Sequence, residues 1–235
     1  DSLRQMTDSG TDGQRRLVTV LFADMADYTP TAEKLGEEAV YTLMRQVISH
    51  MSDAVTANKG SVQNLTGDGM MALFGAPVAI EDAPLRACGA ALDIQNKMRV
   101  LEGEFEARYG VCPKFRIGLH TGPIVIGSIG DGEKAEITAL GDTVNLAARL
   151  EGEAGSGGIV LSEATHQLVD GYVDSAFAGE REIKGKSEKL PVYRLDGLKE
   201  SVSRFDLSVD RGLTPLVGRG SELETLRLSW EGSRT

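Results

Sequence analysis

Two aspartates and one asparagine–arginine pair are the residues whose types and spacing could do chemistry together. Asp24 ends the apolar run Leu17-Val18-Thr19-Val20-Leu21-Phe22-Ala23, and Asp68 sits between two glycines in Gly67-Asp68-Gly69. A carboxylate at the end of a buried strand is costly unless something positive meets it. If a hairpin with Asp68 at its tip pairs beside the strand ending in Asp24, the two carboxylates meet at one edge. Two hard oxygen ligands there suit Mg2+, which keeps its other positions for water and substrate phosphates. Two such ions would bind a triphosphate and activate an attacking oxygen. The backbone N–H groups from about Ala26 to Thr29 stand at a helix start and could hold phosphate oxygens. A plainer reading is that Asp24 caps the following helix and Asp68 shapes a turn, and spacing alone leaves both open. Asn145 and Arg149 are four apart, hence on one helix face, directly after the helix start Gly141-Asp142-Thr143. A solvated helix face is the alternative for that pair.

The elements that must position these residues follow from periodicity. Residues 17–23 are apolar on both alternation sets, Val18, Val20 and Phe22 on one and Leu17, Leu21 and Ala23 on the other. That pattern predicts a central strand covered on both sides. Val40, Leu43, Met44, Val47, Ile48, Met51 and Val55 repeat at helical spacing, predicting one helix over about Thr31–Ala57, stopped by Asn58-Lys59-Gly60. Two short strands flank Gly67-Asp68-Gly69, and a second helix spans about Ala83–Leu101 with Cys88 packed on it. Residues 115–130 read as two strands around Thr121-Gly122-Pro123, with His120 a partly buried strand residue in preference to a metal ligand. Asp131 to Ile137 reads as a charged loop or projecting hairpin. Asp142 or Thr143 caps the next helix, Ile159–Leu161 is a strand, and Ser162 caps a short helix. A last hairpin covers Phe177–Leu195 with Lys184-Gly185-Lys186 at its turn. This order predicts an α+β fold, a mostly antiparallel sheet with flanking helices.

The chain has 235 residues and a formal net charge of −10. The charge argues against a non-specific nucleic-acid binder, which would carry a basic stripe. No apolar run approaches membrane-spanning length, the N-terminus is polar, and the two cysteines, Cys88 and Cys112, have no metal spacing. These features predict a cytoplasmic protein that does not enter a membrane. Residues 1–14 read as a disordered lead-in, residues 15–196 as the catalytic unit, and residues 197–235 as a linker and the start of a C-terminal module.

Four motifs, in order, carry a resemblance: Phe22-Ala23-Asp24-Met25, Gly67-Asp68-Gly69-Met70-Met71-Ala72-Leu73-Phe74-Gly75, Gly118-Leu119-His120-Thr121-Gly122, and Gly141-Asp142-Thr143-Val144-Asn145-Leu146-Ala147-Ala148-Arg149. Together they resemble the class III adenylate/guanylate cyclase catalytic domain over about Leu17–Leu195, with its ferredoxin-like, palm-type fold. The resemblance implies a head-to-tail homodimer with active sites built across the interface, turning ATP into 3′,5′-cyclic AMP and pyrophosphate. It implies that Asp24, Asp68 and the backbone carbonyl of Met25 bind two Mg2+ or Mn2+. It implies that Asn145 orients the ribose and that Arg149 neutralises the α-phosphate as the 3′-oxygen attacks. Lys184, with Lys186 as the second candidate, matches the lysine that contacts the terminal phosphates, a simple turn lysine being the alternative, and Phe22 and Thr29 fall among the substrate contacts. In-line phosphoryl transfer of this kind needs positioning and charge stabilisation more than covalent help.

The sequence departs from the family at three places. Asn64 stands where adenylate cyclases usually have a lysine, with Thr138 as its partner in base recognition. A lysine ammonium only donates hydrogen bonds, whereas an asparagine amide can donate or accept, so ATP is the expected substrate and GTP a plausible side substrate. Asp27 stands where the family commonly has a small residue, and its carboxylate would repel a triphosphate unless it points away or reaches a metal. Leu213 to Leu226 resembles the start of the ATPase module that follows some bacterial cyclase domains, although no P-loop follows here. A competing reading is a nucleotide-binding dimerisation module that regulates such an ATPase with little turnover. A cyclic-dinucleotide synthase would need a Gly-Gly-Asp/Glu-Glu-Phe string, which the sequence lacks.

Overall fold

The computed structural model describes residues 14–129, 136–140, 142–183, 188–199 and 218–233. Contacts divide the chain into two units, residues 1–199 and 200–235. The first unit is a mixed eight-stranded sheet with helices on it, in the order β1 (Gln14–Met25), α1 (Tyr28–Leu35), α2 (Glu37–Ala57), β2 (Ser61–Leu65), β3 (Gly69–Phe74), α3 (Ala83–Tyr109), β4 (Phe115–Ile129), β5 (Glu136–Leu140), α4 (Asp142–Glu153), β6 (Ile159–Ser162), α5 (Glu163–Val169), β7 (Val173–Arg181) and β8 (Leu190–Leu198). The strands run β2-β3-β1-β4-β6-β8-β7, with β5 also paired to β4. Among the described pairings only β4–β6 is parallel, as a crossover through β5 and α4 requires. In the second unit the helix α6 (Gly220–Gly232) is exposed along its length, Leu223, Leu226 and Trp230 included. Gly197 therefore still belongs to β8, and a helix stands where the sequence suggested only the start of a module.

β1 is the central strand that its two apolar alternation sets predict. It pairs with β3 from Thr19↔Phe74 to Asp24↔Gly69 and with β4 from Gln14↔Ile126 to Met25↔Phe115. Leu21, Ala23 and Met25 pack with the apolar stripes of α2 and α3. Val18 and Val20 on the opposite face meet Leu73, Ile124 and Ala147 of α4. Each fully buried side chain of this size contributes roughly 1.5–3 kcal/mol. The buried hydroxyls of Thr19 and Thr121 satisfy each other across the β1–β4 pair at 2.9 Å. Leu17 is the exception, 64% exposed, because β3 begins to pair only at Thr19.

Four further differences from the sequence reading have local causes. The single helix expected over residues 31–57 is two helices, broken at Gly36 (φ 78°), whose N–H closes α1 on Ala32 O at 2.9 Å. α1 starts earlier than predicted, with Pro30 inside its first turn, where a missing N–H has no intrahelical partner to lose. α3 runs on to Tyr109 because Phe105 continues the buried stripe, and Gly110 (φ 66°) ends it. Residues 115–129 form one strand, not two. Pro123 is tolerated because it lies between the stretches of β4 that pair with β6 and β5. Its carbonyl faces away from β1 and accepts from Thr143 Oγ1 at 2.7 Å. The hairpin partner is β5, which begins at the end of the segment read as a charged loop or projecting hairpin.

Candidate active site

The β1–β3 register places the two aspartates together. Asp24 is paired with Gly69, and the Met25 amide donates to the Asp68 carbonyl at 2.9 Å. The Gly67-Asp68-Gly69 turn thus folds against the end of β1. Glycine at 69 is a steric requirement, since a Cβ there would strike the Ala23 carbonyl and come within 2.9 Å of Asp24 Oδ1. The Met25 backbone thus lies next to both aspartates in the chain fold.

Asp24 also pairs across β1–β4 with Arg116, whose Nη2 donates to Asp24 Oδ2 at 3.0 Å. Arg116 Nε lies 2.9 Å from Glu151 Oε1 of α4. Burial raises the Asp24 pKa, the nearby Asp68 charge raises it further, and Arg116 holds it back. Burial pushes Glu151 up to about 7, against the pull of Arg116, with Asp24 and Asp68 adding to the rise. Asp24 and Glu151 therefore share one guanidinium, with the Asp68 charge nearby. This donor set, hard oxygens with an excess of negative charge at a strand mouth, fits a divalent cation such as Mg2+ or Mn2+.

Sequence reasoning missed Arg116 and Glu151. The only hint is that Arg116 lies on the alternation face opposite buried Phe115, Ile117 and Leu119, and that Glu151 continues the arc of α4 that carries Ala147. What the sequence could not show is the close approach of α4 to β4. A Cβ at Gly118 would strike the Glu151 amide nitrogen and lie 2.6 Å from the Ala147 carbonyl, so glycine there lets α4 rest on the strand and brings Glu151 over Arg116.

Asn145 and Arg149 share one face of α4, exposed and half-buried respectively. At 100° per residue they lie opposite Ala147 and Glu151, on the arc turned from the sheet. The chain does not bring them to its own Asp24 and Asp68. Asp142 is the first residue of α4, and Thr143 lies inside the helix, its hydroxyl engaged by Pro123 rather than by a helix amide.

A cleft of about 310 Å3 next to Met25 is lined by Ala26, Asp27, Thr31, Lys34, Glu106 and Lys114 among others, with neither Asp24 nor Asp68 in its wall. The Ala26 amide, expected as a phosphate donor, already donates to Lys114 O at 2.8 Å. The amides of Asp27, Tyr28 and Thr29 remain at the start of α1, where no intrahelical acceptor exists for them. Asp27 sits at the N-cap position in the left-handed region (φ 58°, ψ 35°), exposed and making no side-chain cap bond. Its carbonyl accepts from Thr31 N and Thr31 Oγ1. Thr29 is exposed, and Phe22 is half-buried against the cluster of Val18, Val20 and Leu73.

Asn64 is exposed on β2, just after a register shift between Val62 and Asn64 that re-aims it. Thr138 lies on β5 opposite Gly127, and Lys184 and Lys186 lie outside the described residues. His120 is half-buried on β4 with Nδ1 2.8 Å from Ser162 Oγ, and that hydroxyl also caps α5 by accepting from Thr165 N. Cys88 is buried on α3, its thiol pushed up to about 12 by burial. Among the described residues no helix is long and apolar enough to cross a membrane.

Comparison with known proteins bears on the family and the fold. The chain is 32% identical over 194 residues to adenylate cyclase 1 of Rhizobium meliloti (strain 1021), a match covering 80% of this chain and 29% of that protein. It therefore spans less than a third of that relative, and about half (48%) of adenylate cyclase 2 from the same organism, to which it is 31% identical. The crystal structure of the adenylyl cyclase CyaB from P. aeruginosa superposes with a TM-score of 0.75 at 26% identity, covering 82% of this chain and 100% of that one. The guanylyl cyclase Cya2 gives 0.74 at 28% identity, covering 82% and 98%. The family profile described as "Adenylate and Guanylate cyclase catalytic domain" matches residues 12–197. The chain belongs to the adenylate and guanylate cyclase catalytic-domain family.

Proposed function

We propose that this domain converts ATP to 3′,5′-cyclic AMP and pyrophosphate at sites shared between two copies of the chain. The observation that carries the reading is the division of labour across α4. Asp24 and Asp68 meet on one side of the sheet's mouth, while Asn145 and Arg149 face away from them on the opposite arc of the helix. Asp24, Asp68 and the Met25 carbonyl would hold Mg2+ or Mn2+, which supply positive charge to the triphosphate and acidify the 3′-hydroxyl when bound. The amides at the start of α1 take phosphate oxygens, and Lys184 reaches the terminal phosphates. Phe22 and Thr29 serve as further substrate contacts. Asn145 of a second copy orients the ribose, and its Arg149 meets the charge that grows on the α-phosphate. Downstream of residue 197, the segment through Leu226 fits the start of an ATPase module in a longer protein.

Adenylate cyclases among the relatives support ATP. A relaxed choice that includes GTP has one observation in its favour: Asn64, exposed after the irregularity in β2, presents an amide able to donate or accept. The test is product analysis with Mn2+ and either ATP or GTP. Cyclic AMP alone supports adenine selection by Asn64 and Thr138, and both cyclic products support relaxed selection. Neither product from a chain shown to be dimeric and nucleotide-bound refutes the enzyme. Asp68→Ala abolishes turnover while leaving dimerisation intact.

A further inference from the structure

Arg116 and Glu151 have no part in the reaction as set out above, yet Arg116 stands between the Asp24 and Glu151 carboxylates. Arg116 Nη2 holds Asp24 Oδ2 at 3.0 Å. On its other side, Arg116 Nε and Glu151 Oε1 are 2.9 Å apart without hydrogen-bond alignment, and among the described residues neither atom has another partner. One guanidinium thus serves two carboxylates and satisfies only one of them. The two carboxylates differ in freedom. Glu151 is only 14% exposed and is fixed by the backbone of α4 resting on Gly118. Arg116 can change partner by side-chain rotation alone.

We propose that Arg116 is a stand-in cation for Asp24, and that Glu151 is a positioning residue that takes over Arg116 when a divalent cation binds. This rests on reading Asp24 and Asp68 as metal ligands. With no cation bound, Arg116 neutralises Asp24, so an arriving cation must displace it. The displaced guanidinium would repel the cation if it stayed unpaired nearby. Glu151 receives it, aligns with the unsatisfied Nε, and leaves a neutral pair beside the metal. Arg116 therefore weakens cation binding, and Glu151 strengthens it by acting through Arg116. A purely structural role would give the same direction for both residues.

The test is Mn2+ alone, titrated into the full chain and followed by water-proton relaxation enhancement, which reads weak sites directly. Arg116→Gln tightens Mn2+ binding about 5- to 10-fold and Glu151→Gln weakens it about 5-fold, as expected for one unit charge several ångströms away in a half-screened site. The double variant R116Q/E151Q binds like R116Q, because Glu151 has lost the group it acts through. It also carries no unpaired buried charge, which keeps the comparison valid should R116Q alone fail to fold. Asp68→Asn loses the site. If R116Q and E151Q shift Mn2+ affinity in the same direction, or neither shifts it while D68N still abolishes binding, the stand-in role is overturned. If D68N keeps the wild-type signal, Mn2+ binds elsewhere and the metal-site reading falls with it.

Discussion

If the catalytic halves come from different copies, two dead chains can make a live enzyme. Asp24→Asn removes the metal half and Arg149→Ala the transition-state half. The structure sets the arithmetic. Asp24 and Arg149 lie on opposite sides of α4, and one chain contributes each residue to a different site of the dimer. A heterodimer of the two variants has one site with both lesions and one site with neither. Random mixing at equal concentration makes about half of the dimers heterodimers, each with one of two sites intact, so the mixture recovers about one quarter of wild-type activity per chain. Each variant alone falls by at least about 100-fold, the usual cost of removing one such electrostatic group. The assay is cyclic AMP production at fixed total chain over a range of mixing ratios, with a maximum at equal amounts. Recovery that stays at the level of the separate variants, from chains shown to exchange partners, refutes the shared site. So does full activity of R149A alone.

Three other outcomes follow from particular contacts. Glu151, moved by burial from an ordinary 4.5 to about 7, binds its proton more tightly folded than unfolded. Its stabilising contribution is thus present below about pH 4.5 and is lost as pH rises through about 7. At 1.36 kcal/mol per pH unit this is roughly 3 kcal/mol, trimmed by partial solvation to about 2 kcal/mol. Glu151→Gln therefore gains that much over wild type between about pH 5 and about pH 8 in metal-free urea denaturation, and a gap that stays flat with pH contradicts the buried-charge account. Gly118→Ala drives a methyl into the α4 backbone, which no rotamer can relieve. It costs about 3 kcal/mol, a drop of roughly 6–12 °C in Tm for a domain of this size, and abolishes turnover; a melting point within about 2 °C of wild type would show that α4 can lift freely. Asp27→Gly relieves a left-handed non-glycine residue (φ 58°) and removes an anion from the start of α1, where the proposed site takes phosphate oxygens, so stability rises by about 0.5–1 kcal/mol and KM for the triphosphate falls; an increase in KM would mean that Asp27 helps hold the substrate or its metal.

The sequence was most informative where one period dominates. β1, the hairpin at Asp68, the stripe of α2 and the Ser162 cap all stand where periodicity and turn chemistry put them. It failed where a tertiary contact overrides local pattern. Nothing in residues 115–129 tells that β4 runs straight through Pro123, because its neighbour β1 lies a hundred residues away in sequence. Gly36 was invisible inside a helical stripe until its positive φ broke the helix. The same holds in the site. Asp24 and Asp68 were legible because each ends an element with a carboxylate, but their meeting depends on the β1–β3 register. Arg116 and Glu151 were not legible, since their pairing is made by the glycine that lets a helix touch a strand.

That glycine also explains why an unfavourable residue persists on α4. Glu151 is buried beside two other carboxylates with one imperfectly aligned cation, an arrangement that destabilises the fold at neutral pH. A glutamine would fill the same space with no charge to desolvate, and Leu146, Leu150 and Ala154 on the neighbouring arc already anchor the helix. Packing therefore gives no reason for an acid at 151. On the proposed function the same helix presents Asn145 and Arg149 outward to a second copy, which a tight seat on Gly118 secures without any charge. What a carboxylate adds there is a place for Arg116 when Asp24 is needed for something else. On this argument, the cost in stability and the gain in cation binding are two readings of one charge, so E151Q must move them in opposite directions: a more stable chain that holds Mn2+ less well.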